Sequence, residues 1–218
     1  MDMLRLLFDI FAFFLSVGVV SAILFICKYL RRRGVSRDIL REMTHISAGI
    51  WPLFWFLFSS KTIGVLVPLT MTIFLALAPS SVRRTYSNGE EKHIGLVLYS
   101  LMFTIATYLY WMDPIGAAAI FSLAFADGSA GLIGKRLGRH RFAIPWGREK
   151  SIEGFLTFFF VCALSIVLAY MIFSRELIPI YKIVLAALVG ACIEFFAPPH
   201  TDNVLIPLGI ILILAILT

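Results

Sequence analysis

The chain has 218 residues, 60% of them hydrophobic and 15% charged, with a mean hydropathy of +0.93. A soluble domain is nearer half apolar and a quarter charged, so the composition argues against a water-soluble globule, a disordered chain and a disulfide-rich secreted domain. Nineteen basic residues against 13 acidic ones give a net charge of +6, which suits anionic lipid, nucleic acid or a phosphorylated ligand, and the placement of the charges must decide among these.

Eight apolar segments follow one another: Ile10 to Cys27, Ile46 to Phe58, Thr62 to Ala78, Ile94 to Trp111, Pro114 to Ala126, Phe155 to Phe173, Ile178 to Ala197 and Val204 to Leu217. A spanning helix needs about 20 apolar residues. The second, fifth and last segments are short, which leaves a count of seven open. The first segment reads as a retained anchor and not as a signal peptide. Arg5 is offset by Asp2 and Asp9, no A-x-A site follows, and the segment ends in Lys28, Arg31, Arg32 and Arg33. When alternate loops are assigned to the same side, 15 basic residues fall on one side and four (Arg5, Lys61, Arg175, Lys182) on the other. That bias favours eight crossings with both termini extracytoplasmic. The expected architecture is therefore an all-α, polytopic integral-membrane helical bundle, a single membrane-embedded domain over residues 1–218. Trp51, Trp55, Tyr108, Tyr110 and Trp111 sit near span ends, as interfacial aromatics do. Cys27, Cys162 and Cys192 lie in apolar stretches without metal-like spacing and read as core residues.

The unusual polar residues share the basic side. They form four clusters: REMTHISAG (Arg41 to Gly49), SSVRRTYSNGEEKH (Ser80 to His93), the long stretch from Phe125 to Gly154, and EFFAPPHTDN (Glu194 to Asn203). Carboxylates and histidines at span ends are functional candidates by default. Glu42 and His45, three apart on a predicted helix, share a face; His45 is either an interfacial hydrogen-bonding residue or an acid–base group. Asp127 follows an apolar run and is expected at the membrane surface. Gly128, Gly131, Gly134 and Gly138 after it suit a close helix–helix contact or the approach of a phosphate, and the two are compatible. The pattern is not a Walker loop, because five residues separate Gly128 from Gly134 and Arg136 follows Lys135.

The loop from Lys135 to Lys150 holds six basic residues, with Pro145 and Gly147 turning the chain. Anionic lipid heads would suffice to explain it. A polyphosphate is favoured by Arg148, Lys150, Ser151, Glu153 and Gly154 at the start of the next span, where orphan N–H groups and the helix dipole attract an anion. Glu194, Asp202 and Asp127 supply hard oxygen ligands on one side, the kind that hold Mg²⁺ together with substrate phosphates. Asp202 and Asn203 also suit a helix cap.

The combination of REMTHISAG, ADGSAGLIGKRLG, KSIEG and EFFAPPHTDN resembles the polyprenol kinases, among them the dolichol, phytol and farnesol kinases, grouped with the integral-membrane CTP transferases. The resemblance covers most of the chain from Arg41 to about Pro207. It implies transfer of the terminal phosphate of CTP to a long-chain isoprenoid alcohol with Mg²⁺. It carries over Asp127, Gly128, Gly134, Lys135, Gly138, Lys150, Ser151, Glu153 and Gly154 as nucleotide-site residues, within a segment of about 125–154. Glu42, His45, Glu194, Asp202 and Asn203 match further positions of the family pattern. Phosphatidate cytidylyltransferases carry a paired-lysine SPKKTxEG element where this chain has REKSIEG, which favours the kinase branch.

These readings combine into one expectation. The lipid tail lies between spans, its hydroxyl at the cytoplasmic face of the cell membrane. Asp127, with Asp202 or Glu194, holds Mg²⁺. Lys135, Arg148 and Lys150 clamp phosphates, with Gly131 and Arg136 in the same nucleotide segment, and His45 or a carboxylate takes the hydroxyl proton. The rivals are a CDP-lipid-forming cytidylyltransferase and a non-enzymatic transporter or lipid-binding scaffold. The polar groups gather at one face instead of the midplane, which disfavours a transporter. No nucleic-acid module is discernible.

Overall fold

The computed structural model describes residues 3–78, 90–146, 148–174 and 176–216. Most of the second polar cluster, with Arg83 and Arg84, lies outside the described residues, as do Arg175 and Gly147. Helix α1 (Met3–Arg32) carries Arg31 and Arg32 in its last turn, where cations complement the helix dipole. Gly34, at φ 89°, ends it. Val35 N–H donates to Leu30 O and Gly34 N–H to Arg31 O, a Schellman close. Helix α2 (Arg37–Ala48) is capped by the Ser36 hydroxyl, which accepts from Ile39 N–H.

The Ile46–Phe58 stretch is not one helix. It is divided among the end of α2, the four-residue α3 (Trp51–Phe54) and a 3-10 turn (Trp55–Leu57). Pro52, which has no N–H to give, prevents α2 from continuing. The stretch nevertheless returns along α1. Ser59 N–H and Oγ–H donate to the buried carboxylate of Asp9, at 2.7 and 2.9 Å, near the end of α1 remote from Arg32.

Helices α4 (Lys61–Leu77) and α5 (Glu90–Leu109) pack together. Helix α6 (Pro114–Phe121) begins with Asp113 accepting from Ile115 N–H at 2.7 Å. It then runs through a π turn (Ser122–Asp127) into α7 (Gly128–Leu137). The fifth apolar segment therefore does not stop at the membrane surface at Ala126. The helix continues through Asp127 and makes a stretch of 24 residues, Pro114–Leu137. Glycine permits this, because a Cβ on Gly128 would lie 2.6 Å from Ile46 Cγ1, so α7 rests directly on α2.

After α7 comes an antiparallel hairpin, β1 (Arg141–Ile144) and β2 (Arg148–Ser151), with Phe142 opposite Lys150. This corrects the all-α expectation. The basic loop pairs its own backbone instead of leaving it to solvent. Helices α8 (Ile152–Phe173), α9 (Ile180–Phe196) and α10 (Asp202–Ile216) complete the chain.

Helix α6 is buried at every position from Ile115 to Phe121 and is surrounded by α5, α8 and α10. A helix apolar on all sides belongs at the centre, and Ala117, Ala118 and Ala119 let its neighbours approach closely. The periphery is the reverse. Phe8, Phe11, Phe14 and Phe25 on α1 and Phe160, Leu164 and Met171 on α8 are exposed. Among the described residues, Met3–Arg32, Pro114–Leu137 and Ile152–Phe173 are long and apolar enough to cross a membrane, and Lys61–Leu77, His93–Leu109 and Asp202–Ile216 are shorter apolar helices. The whole fits a helical membrane bundle.

Candidate active site

At the end of the bundle where α2, the π turn, the hairpin and the α9–α10 turn converge lies a cavity of about 370 Å³. Glu42, His45, Asp127, Gly131, Gly134, Lys135, Lys150, Ser151, Gly154, Glu194, Asp202 and Asn203 all line it. Three of the four sequence clusters therefore meet there. The π turn is what presents Asp127, since an added residue per turn rotates the carboxylate away from the surrounding α-helical register. Asn203 is held by its own amide, which donates to Gly95 O at 3.0 Å and ties α10 to α5.

The charges are interleaved. Glu42 Oε1 accepts from Arg41 at 2.7 Å and from Lys135 at 2.8 Å. Lys150 pairs with Glu194, whose side chain is almost wholly buried. Arg141 lies 3.7 Å from Glu149 on the adjacent strand. Asp127 makes no hydrogen bond among the described residues; the charges acting on it are those of Asp202, Glu42, Glu194 and Lys150. The cavity wall carries Asp38, Glu42, Asp127, Glu149, Glu194 and Asp202 against Arg41, Lys135, Arg141 and Lys150. From these described residues a bare polyphosphate would meet more negative than positive charge. A divalent cation held by Asp127 and Asp202 would cancel that excess, and one or two carboxylates plus phosphates are the usual Mg²⁺ environment. The residues present fit a metal shared with substrate. They do not form a self-sufficient cage: among the described residues no group of three or more His, Cys, Asp or Glu could hold a metal ion, and Glu194 is turned to Lys150.

His45 sits on the wall, 6% exposed. Its ring stacks on Tyr99 at 4.2 Å between centroids, and Tyr99 O–H donates to His45 O at 2.8 Å. Neither ring nitrogen has a hydrogen-bond partner among the described residues. Burial lowers its pKa to about 4, helped by Arg41 and Lys135 and opposed by Glu42. Burial alone raises the Glu42 carboxyl, but Arg41, Lys135 and His45 outweigh it and hold the group below its ordinary value.

Four expected site residues point elsewhere. Gly128 is buried against Ile46. Gly138 is in contact with Ser151, and Arg136 is exposed outside the cavity. Glu153 turns outward to His140 Nδ1 at 2.8 Å. The first turn of α8 also differs from the expectation of open N–H groups. Ser151 Oγ accepts from Gly154 N–H at 3.1 Å, and Ile152 N–H donates to His140 O at 3.0 Å. The chain caps this helix itself. The side chain of Arg148 lies outside the described residues. The sequence reading passed over Asp38, Arg41, Gly95, Arg141, Glu149 and His200, which also line the cavity. Arg41 and His200 lay within quoted clusters. Gly95, on an apolar helix, gave no signal at all.

A second cavity, of about 180 Å³ and almost wholly apolar, opens between α1, α2, α3, α4 and α5. It shares Arg41, His45 and Leu96 with the first. The structure thus joins a charged cavity at one end of an apolar helical bundle to an apolar groove.

Comparison with curated proteins finds the chain similar to phytol and farnesol kinases. It is 30% identical over 155 residues to "Probable phytol kinase 2, chloroplastic" of Oryza sativa subsp. japonica, covering 64% of this chain and 50% of that one. It is 29% identical over 159 residues to "Farnesol kinase, chloroplastic" of Arabidopsis thaliana, covering 64% and 51%. Its match to "Phytol kinase" of Synechocystis sp. is 26% over 211 residues, covering 91% and 88%. The match to the two plant relatives thus spans about half their length. No family model and no solved structure matches the chain.

Proposed function

We propose that the chain is a lipid alcohol kinase that transfers the terminal phosphate of CTP to a membrane isoprenoid alcohol, giving the lipid monophosphate and CDP. The observation that carries this reading is the junction at His45, where the charged cavity and the apolar groove share a wall. A lipid alcohol needs both: an apolar groove for its tail and a charged site for the phosphate it receives. The names of the relatives, phytol and farnesol kinases, agree with that division. CTP as donor rests on the likeness of the Asp127–Gly154 segment to the CTP-using group. The proposed setting is the cell membrane, with the charged cavity facing the cytoplasm.

In this mechanism the alcohol oxygen lies beside His45. Its proton passes to an unpartnered ring nitrogen as the new oxygen–phosphorus bond forms. The bond from the terminal phosphorus to the bridging oxygen breaks, and CDP leaves. Lys135 and Lys150 exchange their glutamate partners for phosphate oxygens, and Arg141 adds a third cation. Phosphoryl transfer requires mainly positioning and charge neutralisation, so a weakly basic imidazole is sufficient. Mg²⁺ between Asp127 and Asp202 would neutralise phosphate charge and fix the donor.

The test is a panel of CTP and ATP against phytol, farnesol, geranylgeraniol and a dolichol, with purified protein, Mg²⁺ and product identification. Prenyl monophosphate with CDP is expected. Release of pyrophosphate would replace the kinase by a cytidylyltransferase. Absence of nucleotide consumption with every acceptor would leave a transporter or scaffold.

A further inference from the structure

The apolar groove has a feature that an uncharged alcohol does not need. Among the described residues, four basic ones line it (Lys28 and Arg31 from α1, Arg37 and Arg41 from α2) and no acidic one does. Arg31 Nη1 and Arg41 Nε are buried without a hydrogen-bond partner among the described residues. A buried guanidinium N–H without an acceptor is costly and marks a place where an anion belongs. Positive-inside topology explains why basic residues are on this side. It does not explain why two residues lining the groove each keep an N–H shielded from water and without a partner among the described residues.

The spacing adds a direction. Arg37, Arg41 and His45 recur every fourth residue on α2, so they form one stripe with steps of about 6 Å. His45 is the member shared with the charged cavity, and Arg37 and Arg31 stand at the far end of the stripe, where α1 ends and α2 begins. Along α1 the groove runs from Ser16 to Arg31, roughly 22 Å at about 1.5 Å per residue, so a tail can stay in it while a head moves along the stripe.

We propose that the mouth of this groove is a binding site for the phosphate head of a single-tailed lipid phosphate, formed by Arg31, Arg37 and Lys28 with Arg41 shared. Under the kinase reading, on which this inference rests, that ligand is the product. Its head leaves the transfer point by stepping from Arg41 to Arg31 and Arg37 while its tail remains in place. The alcohol, lacking charge, has no hold on the mouth. The site accordingly makes the protein bind product more tightly than substrate.

Direct binding in detergent micelles tests this without any turnover, using farnesyl monophosphate, farnesol and two-tailed phosphatidic acid as probes. For the intact chain, farnesyl monophosphate is expected to bind about tenfold tighter than farnesol, in line with hydrogen bonds to charged groups. In Arg31→Gln with Arg37→Gln, that advantage is expected to vanish while farnesol affinity stays within about twofold, which also certifies the fold of the variant. An unchanged preference for the phosphate in the double variant overturns the site. Equal binding of phosphatidic acid, lost in the same variant, overturns it in favour of ordinary anionic lipid at the membrane surface. Failure of phosphate transfer in the kinase assay would instead remove the kinase reading and leave this binding result standing.

Discussion

The two cavities are neighbours with opposite chemistry. The charged one is walled by paired carboxylates and cations supplied from α2, the π turn, the hairpin and the α9–α10 turn. The apolar one is walled by side chains of α1 to α5 and is charged only at its mouth. Under the proposed reading the first serves phosphate transfer, and the second holds the lipid tail, with a phosphate head only at its mouth. Under the proposed reading the contrast divides reaction and anchoring between two cavities that share α2 and α5, so substitutions confined to one cavity should separate in kinetics, with His45 as the hinge between them.

The largest effect is expected at Asp127. Asp127→Ala should lower kcat by about 10³-fold, the scale of losing a principal electrostatic group. Its circular-dichroism melt should stay cooperative, since Asp127 makes no hydrogen bond among the described residues. An active variant would break the assignment of chemistry to the charged cavity.

Next comes the hinge. His45→Gln should cost about 10²-fold in kcat, as loss of a general base does, with little change in nucleotide KM. The same residue gives a pH test. His45 stays neutral in the folded protein down to about 4, whereas its ordinary value is 6.5. As pH falls from 6.5 toward 4, the unfolded chain takes up the proton first and stability declines. Glu42, held below its ordinary 4.5, loses its contribution at still lower pH. Thermal melts from pH 7 to pH 4.5 should therefore flatten in His45→Gln, and an unflattened curve would contradict the burial of a neutral imidazole.

Lys150→Ala should reduce turnover by about 10²-fold and also cost about 3 kcal/mol of stability, because the buried Glu194 carboxylate is left without its partner. Adding Glu194→Gln should restore stability without restoring activity, and chemical denaturation of the two variants separates those effects. The smallest effect belongs to the groove. Val20→Trp, filling it from α1, should raise the alcohol KM by about tenfold and leave nucleotide KM unchanged, since overpacking costs about 1 to 3 kcal/mol. Equal shifts in both constants would show that the two cavities do not divide the work.

The hairpin is where sequence and structure part most clearly. Its residues read as a basic loop, yet Trp146 at its tip donates to Phe196 O at 3.0 Å, and Lys150 pairs with Glu194 on the same helix. No local pattern signals a strand pair of four residues held from outside. Glu153 illustrates the converse. Its place at a helix start suggested a phosphate site, but Ser151 caps that helix and Glu153 faces His140.

By itself the sequence determined the membrane-type character, the order of the apolar helices and the clustering of Glu42, His45, Asp127, Lys135, Lys150, Glu194 and Asp202 toward one end. These follow from hydropathy and charge placement, which are local along the chain. Only the tertiary structure decided which glycines face the cavity, that Asp127 is aimed by a π turn within a longer helix, and that the apolar groove meets the charged cavity at His45. Those features depend on the rotation of each helix about its axis, and that rotation is set by the close packing of Gly128 on Ile46 and of the buried α6 among its neighbours.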